Sequence, residues 1–156
     1  MNLETEIVER LLKKHYTVTT AESCTGGLLA GRILNVPGAS DVYHEGYITY
    51  SNESKERLLG VSQETLKTYG AVSRQTAEEM ARGAAKAANA DVGLSTTGIA
   101  GPGGGTLEKP VGLIYVGCYI GGKAYVEECH FSGTREENRR DAVEAVLLLL
   151  RGRGEL

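Results

Sequence analysis

"TTAESCTGGLLAGRIL", residues 19–34, reads as a strand handing over to a helix. The segment "YTVTTA" (16–21) is rich in β-branched residues and predicts a strand. Gly26 and Gly27 then open "GLLAGRIL" (27–34), an apolar run with helical spacing that Pro37 and Gly38 stop. Between the two stand Ser23, Cys24 and Thr25, three nucleophile-type side chains at the turn. Either they only cap the helix, or one of them is presented to a substrate. A nucleophile placed there would sit at the end of a sheet, close to backbone N–H groups able to hold an oxyanion.

Outward from this turn, strands and helices interleave. Residues 3–14 have Ile7, Val8, Leu11 and Leu12 at helical spacing. "VYHEGYITYS" (42–51) predicts a second strand, and Asn52 an N-cap for a short helix carrying Lys55, Leu58 and Leu59. "SQETLKTYG" reads as another short helix, and Ser73 as the cap of a long Ala-rich one. "DVGLSTTG" and "VGLIYVGCYI" predict strands around the loop "IAGPGGGTLEKP". Gly121-Gly122 predicts a hairpin into "KAYVEECHF", and Thr134 with Glu137 a capping box for the last helix. That helix, with "AVEAVLLLL", is apolar almost all round and must be buried in the core or at a subunit contact. The pattern predicts an α/β fold with a mixed sheet sandwiched between helices.

Bulk properties narrow the function classes. The 156 residues suit one domain, spanning 1–156, and 41% hydrophobic with 24% charged residues is ordinary for a globular chain. A net charge of −3 lacks the electrostatic footprint of a nucleic-acid binder, although a local anion site stays open. Cys24, Cys118 and Cys129 form no CxxC pair and are odd in number, which suits reduced thiols in the cytoplasm. The first 15 residues lack the continuous apolar core of a signal peptide, and no stretch approaches the length of a membrane span.

The chemistry-bearing residues are then few. A thiolate at Cys24 would need an imidazolium partner. His15 sits at a helix end, and His44 and His130 fall in strand patterns. If a serine acts, lysine is the remaining base, and "TYSNESK" offers Lys55 with Tyr50 just upstream. Burial among neighbours such as Ile48 and Leu58 would lower its pKa from about 10.4 and free the amine; otherwise it is a solvated surface lysine. The loop "STTGIAGPGGGTLEKPVG" can cradle an anion through backbone N–H groups, or is a flexible connection. It is neither a Walker A nor a Rossmann sequence. Arg135 and Arg139 on the first turns of the last helix are poorly placed for the helix dipole. An anion site, or a salt bridge to Glu136 or Glu137, would account for them.

Taken together, "TTAESCTGGLLAGRI", "VPGAS", "GYITYSNESKERLLGV", "YGAVS", "TTGIAGPGGGTLEKPVG" and "FSGTREENRRDA" resemble the C-terminal domain of the competence/damage-inducible protein CinA, the nicotinamide-nucleotide amidohydrolases. The resemblance implies a three-layer α/β/α domain that forms homodimers or larger homo-oligomers. It implies deamidation of nicotinamide mononucleotide to nicotinate mononucleotide and ammonia, in pyridine-nucleotide salvage, with no metal or organic cofactor. Ser23 takes the nucleophile's place, Lys55 the base's and Tyr50 that of the supporting tyrosine. Substrate contacts fall on Cys24, Thr25, Gly26 and Gly27, on Asn52, and on Thr97, Gly98, Ala100, Gly101, Gly103 and Gly104. Arg135 and Arg139 are the candidates for the phosphate. Many relatives carry this domain behind a larger N-terminal one, for which 156 residues leave no room. The alternatives are an amidohydrolase for a related small phosphorylated amide, or a non-catalytic nucleotide-binding subunit.

Overall fold

The computed structural model describes residues 1–152 and 156. Helix α1 (Leu3–Lys14) leads into strand β1 (Val18–Glu22), which is followed by α2 (Leu28–Leu34) and a 3-10 turn (Ala39–Asp41). Strand β2 (Tyr47–Ile48) precedes α3 (Asn52–Leu59), α4 (Gln63–Tyr69) and α5 (Arg74–Ala88). Strands β3 (Val92–Gly98), β4 (Leu113–Ile120) and β5 (Lys123–His130) lead to α6 (Arg135–Gly152). The five strands make one mixed sheet in the order β2-β1-β3-β4-β5. β1 runs parallel to β2 and β3, and β3-β4-β5 is an antiparallel meander.

Helices α1, α2 and α6 cover one face and α3, α4 and α5 the other. The expected three-layer α/β/α architecture is therefore the one formed. The first face holds the larger core, in which Ile7, Leu11, Leu29, Ile33, Leu94, Ile114 and Leu147 are all buried. Ala21, Leu59, Val61, Met80 and Ala84 fill the second. Because β1 is central, all five of its residues are buried, polar ones included. Their hydroxyls are bonded: Thr19 Oγ1 donates to the Glu45 carbonyl at 2.7 Å, and Thr20 Oγ1 meets the Tyr43 hydroxyl at 2.8 Å.

Two expectations change. The second strand shrinks from ten residues to Tyr47–Ile48, because Tyr43 N–H bonds back to Ala39 and its ring closes over the turn. A Cβ at Gly46 would lie 1.8 Å from the Tyr43 hydroxyl, so the chain passes too closely there to run straight. The cap of α3 is Ser51, whose hydroxyl accepts from the Ser54 N–H at 3.1 Å, while Asn52 is the first helical residue. Of the two places open to α6, the core takes most of it: Ala142, Val143, Val146, Leu147, Leu149 and Leu150 are buried against α1, α2, β3 and β4, and Leu148 is left 42% exposed. The Gly121-Gly122 hairpin and the reciprocal Thr134–Glu137 bonds, at 2.9 and 3.2 Å, form as read.

The chain leaves β1 through α2 to reach β2 on one side. It then crosses the opposite face through α3, α4 and α5 to reach β3 on the other. β1 is thus the switch point, and a crevice opens beyond its carboxyl end. Ser23 is the first residue past that end.

Candidate functional site

A cavity of about 300 Å³ occupies that crevice. Ser23, Cys24, Tyr50, Asn52, Lys55, Ala71, Gly98 to Gly101, Gly103, Gly104 and Arg135 line it. A larger depression, about 430 Å³, lies between α2 and α6 around Leu28, Arg32, Asn35 and Arg140, and it contains no nucleophile. The smaller cavity is the one lined by the candidate nucleophile and base, Ser23 and Lys55.

Lys55 is 2% exposed, the largest of the fully buried side chains. Its Nζ donates to the Thr49 carbonyl at 2.7 Å and lies 3.0 Å from Ser23 Oγ. No carboxylate pairs with it among the described residues. Burial without a counter-ion disfavours the ammonium, and the pKa falls from 10.5 to about 8. Ile48 and Leu58, the neighbours expected to bury Lys55, are themselves 57% and 38% exposed. The helix that carries Lys55 is closely seated: a Cβ at Gly83 of α5 would strike the Leu59 carbonyl of α3 at 1.8 Å, so the two helices meet at backbone distance.

Cys24 is the opposite case. Its thiol is buried, and burial pushes its pKa up to about 11, so it is neither a thiolate nor a base at neutral pH. His15, His44 and His130 are all exposed and none lines the cavity. His44 lies in the loop before β2, not in a strand, and His130 pairs with Glu128 at 2.7 Å. Among the described residues no cluster of three or more His, Cys, Asp or Glu side chains gathers where a metal could sit.

The remaining candidates divide. Asn52, Gly98, Ala100, Gly101, Gly103 and Gly104 line the cavity with the dyad. Tyr50 does too, but its hydroxyl meets Arg135 Nη2 at 3.0 Å, not Lys55 or Ser23. Arg135 also donates to the Gly101 carbonyl at 2.8 Å, so it ties the Tyr50 rim to the glycine loop. Thr25, Gly26, Gly27, Thr97 and Arg139 stand outside the lining. Thr97 Oγ1 donates to the Ala71 carbonyl at 2.7 Å and thereby holds one wall. Arg139 binds the Cys24 and Thr25 carbonyls, and neither arginine pairs with Glu136 or Glu137.

Sequence reasoning missed Glu22. Its side chain, 1% exposed, sits under the first turn of α2. Oε1 accepts from the N–H of Gly27 at 3.1 Å and of Leu29 at 2.9 Å, and from Thr25 Oγ1 at 2.6 Å. Oε2 accepts from Ala30 N–H at 3.0 Å. Gly27, the N-cap with φ 107°, has no side chain to do this work. The available signal was a carboxylate just ahead of a Gly-Gly helix start, where an acid complements the dipole. The consequence for the site is direct. Gly27 N–H goes to Glu22, and Gly26 N–H to the Ser23 carbonyl at 3.2 Å. Of the expected oxyanion donors from Cys24 to Gly27, only the Cys24 and Thr25 amides keep no acceptor in another described residue.

The chain is similar to known proteins along almost its whole length. The model of the CinA C-terminal domain matches residues 1–153. A competence-damage inducible protein of Clostridium botulinum (strain 657 / Type Ba4) is 56% identical over 149 residues, covering 96% of this chain. A counterpart in Clostridium acetobutylicum is 55% identical over 146 residues. The chain spans only 36% of the length of either relative. A solved competence/damage inducible protein from Agrobacterium tumefaciens superposes with a TM-score of 0.93 at 43% identity, covering 96% of this chain and 92% of that one. A CinA superfamily protein from Escherichia coli gives 0.93 at 38% identity, covering 96% and 87%.

Proposed function

Because this chain belongs to the CinA C-terminal domain family, we propose that it is a serine–lysine amidohydrolase that deamidates nicotinamide mononucleotide to nicotinate mononucleotide and ammonia. One observation carries the reading: a buried lysine with no counter-ion, its pKa near 8, lies 3.0 Å from a serine hydroxyl at the mouth of a cavity. A neutral amine keeps a lone pair, and the bond to the Thr49 carbonyl turns an N–H away from Ser23. Lys55 takes the hydroxyl proton as Ser23 Oγ attacks the carboxamide carbon of the substrate. Backbone N–H groups hold the oxyanion, and the same proton passes to the leaving nitrogen. Ammonia departs, water enters with Lys55 again as base, and the acyl-serine is hydrolysed. Tyr50 supports the site from its rim through Arg135, whose guanidinium at the cavity wall is the proposed partner of the phosphate.

The test is ammonia release from nicotinamide mononucleotide by the purified chain. Ser23→Ala abolishes it and Cys24→Ser retains most of it; the reverse pattern would move the nucleophile to the thiol. Tight nucleotide binding without any ammonia would instead favour a non-catalytic nucleotide-binding subunit.

A further inference from the structure

Arg139 lies on α6, more than a hundred residues from the nucleophile, yet its guanidinium is committed to the nucleophile's turn. Nε donates to the Cys24 carbonyl at 2.9 Å and Nη2 to the Thr25 carbonyl at 3.0 Å. No carboxylate competes for it among the described residues. Gly26 takes the left-handed φ of 54° that the turn needs, and the guanidinium lies alongside it, at ordinary contact distance from where a Cβ would stand. Two backbone bonds add to these: Gly26 N–H to the Ser23 carbonyl at 3.2 Å, and Leu28 N–H to the Thr25 carbonyl at 3.1 Å. Among the described residues Arg139 is thus the only side chain on the Cys24 carbonyl, and it shares that of Thr25. Three consecutive carbonyls, those of Ser23, Cys24 and Thr25, are therefore all pinned.

A trans peptide plane carries its N–H opposite its C=O. Holding those carbonyls therefore fixes the directions of the Cys24, Thr25 and Gly26 amides. The Gly26 amide is engaged within the turn and Glu22 takes those of Gly27, Leu29 and Ala30. The Cys24 amide, directly after the nucleophile and on the cavity wall, and the Thr25 amide are left. In other nucleophile turns between strand and helix, the amide after the nucleophile is an oxyanion donor.

We propose that Arg139 is a positioning residue that sets the oxyanion hole: it grips the Cys24 and Thr25 carbonyls, and so holds the Gly26 amide that bonds the Ser23 carbonyl, leaving the Cys24 N–H to face the reacting carbonyl. This rests on the serine–lysine reading above and replaces the expectation that Arg139 holds the substrate phosphate. Oxyanion donors act on the transition state, so their misplacement lowers kcat and leaves ground-state binding in place.

Two readouts keep this inference separate from the choice of substrate. The first is labelling of Ser23 by a small alkyl phosphonofluoridate, followed by mass. Ser23 Oγ bonds to phosphorus, the P–F bond breaks, fluoride leaves and the hydroxyl proton passes to Lys55. The phosphoryl oxygen needs the same donors whatever the natural substrate is. Arg139→Lys, which keeps the charge and most of the stem but loses the fork, labels roughly ten- to a hundredfold more slowly than wild type. Free guanidinium restores part of the rate to Arg139→Ala. The second readout is turnover: kcat falls by a similar factor for nicotinamide mononucleotide and for its riboside, with KM within about threefold. Circular dichroism shows the variants folded; if Arg139→Ala is not, Arg139→Lys carries the comparison. Wild-type labelling rates in Arg139→Lys would overturn the inference. So would a rise in KM confined to the phosphorylated substrate, which would return Arg139 to the phosphate. A wild type that labels but releases no ammonia removes the proposed substrate and leaves the inference to the labelling rates. A wild type that does not label removes both.

Discussion

The decisive property of Lys55 is that one side chain is buried, easier to deprotonate than an ordinary lysine and aimed at a hydroxyl. A base works only when deprotonated, so activity is lost as pH falls through its lowered pKa. We expect kcat/KM to rise with pH through an apparent value near 8, a limb absent from Lys55→Met. Lys55→Met should lose about two to four decades of kcat. Lys55→Arg should fail as well, since guanidinium stays protonated at any usable pH. A near-normal Lys55→Arg enzyme would leave Ser23 without its base. The same shift predicts a stability signature. The folded pKa, about 8, lies below the ordinary 10.5, so between these values the unfolded chain holds a proton that the folded chain does not. Stability attributable to Lys55 therefore rises with pH across that window and is flat below it. The melting-temperature difference between wild type and Lys55→Met should move in the wild type's favour from pH 8 to 10.5; a constant difference would mean that the amine is not strained by burial. Ser23 was legible in the sequence as a candidate, because a strand–turn–helix with two glycines exposes what it carries. Lys55 was not separable from a surface lysine, because its burial is a property of the folded chain; α3 packs on α5 at backbone distance where Gly83 meets Leu59, a contact no local pattern shows.

At the scale of elements, the junction of β1 and α2 is built around Glu22. The carboxylate replaces a capping side chain from below, receiving three backbone N–H groups and one hydroxyl. Glu22→Gln keeps the shape but turns an NH2 group toward donors. A hydrogen bond to a charged group is worth about 1.5–3 kcal/mol, so the melting temperature should fall by roughly 3–12 °C. An unchanged melting temperature would mean that water satisfies α2 as well as Glu22 does. Most elements were readable from their signals. Ser73 caps α5, Gly121 and Gly122 turn the hairpin, and Thr134 with Glu137 opens α6. The failures share a cause, competition from non-local contacts. "VYHEGYITYS" has strand composition throughout, but the Tyr43 hydroxyl is drawn to Thr20 and bends the chain until only two residues pair. Ser51 outcompetes Asn52 for the cap because Ser54 answers it reciprocally.

At the scale of the molecule, fold class followed from the alternation of elements and one hairpin. Which face each helix takes, and hence what covers α6, did not. Since the core takes most of α6, most of its composition is explained without a second subunit. The homo-oligomer implied by the family resemblance, which we retain as a proposal, has exposed apolar residues to use; Leu34, Ile48, Leu107 and Leu148 are 53%, 57%, 101% and 42% exposed. Light scattering at micromolar protein should give more than one chain's mass, and a mass of 16.6 kDa would end that expectation. No helix among the described residues is long and apolar enough to cross a membrane. The way α6 reaches back to the site also has a consequence in time. Arg135 fastens Gly101, Asn138 fastens Ala100, and Arg139 fastens Cys24 and Thr25. On the ribosome, Ser23 and Lys55 emerge long before these three. At ~5–20 residues per second, the 84 residues between positions 55 and 139 take roughly 4–17 s to synthesise. For that interval the nascent chain holds a nucleophile and a base without the clasp that aims them. Catalytic competence would then arrive with the last helix, and a ribosome that stalls before it would leave a silent protein.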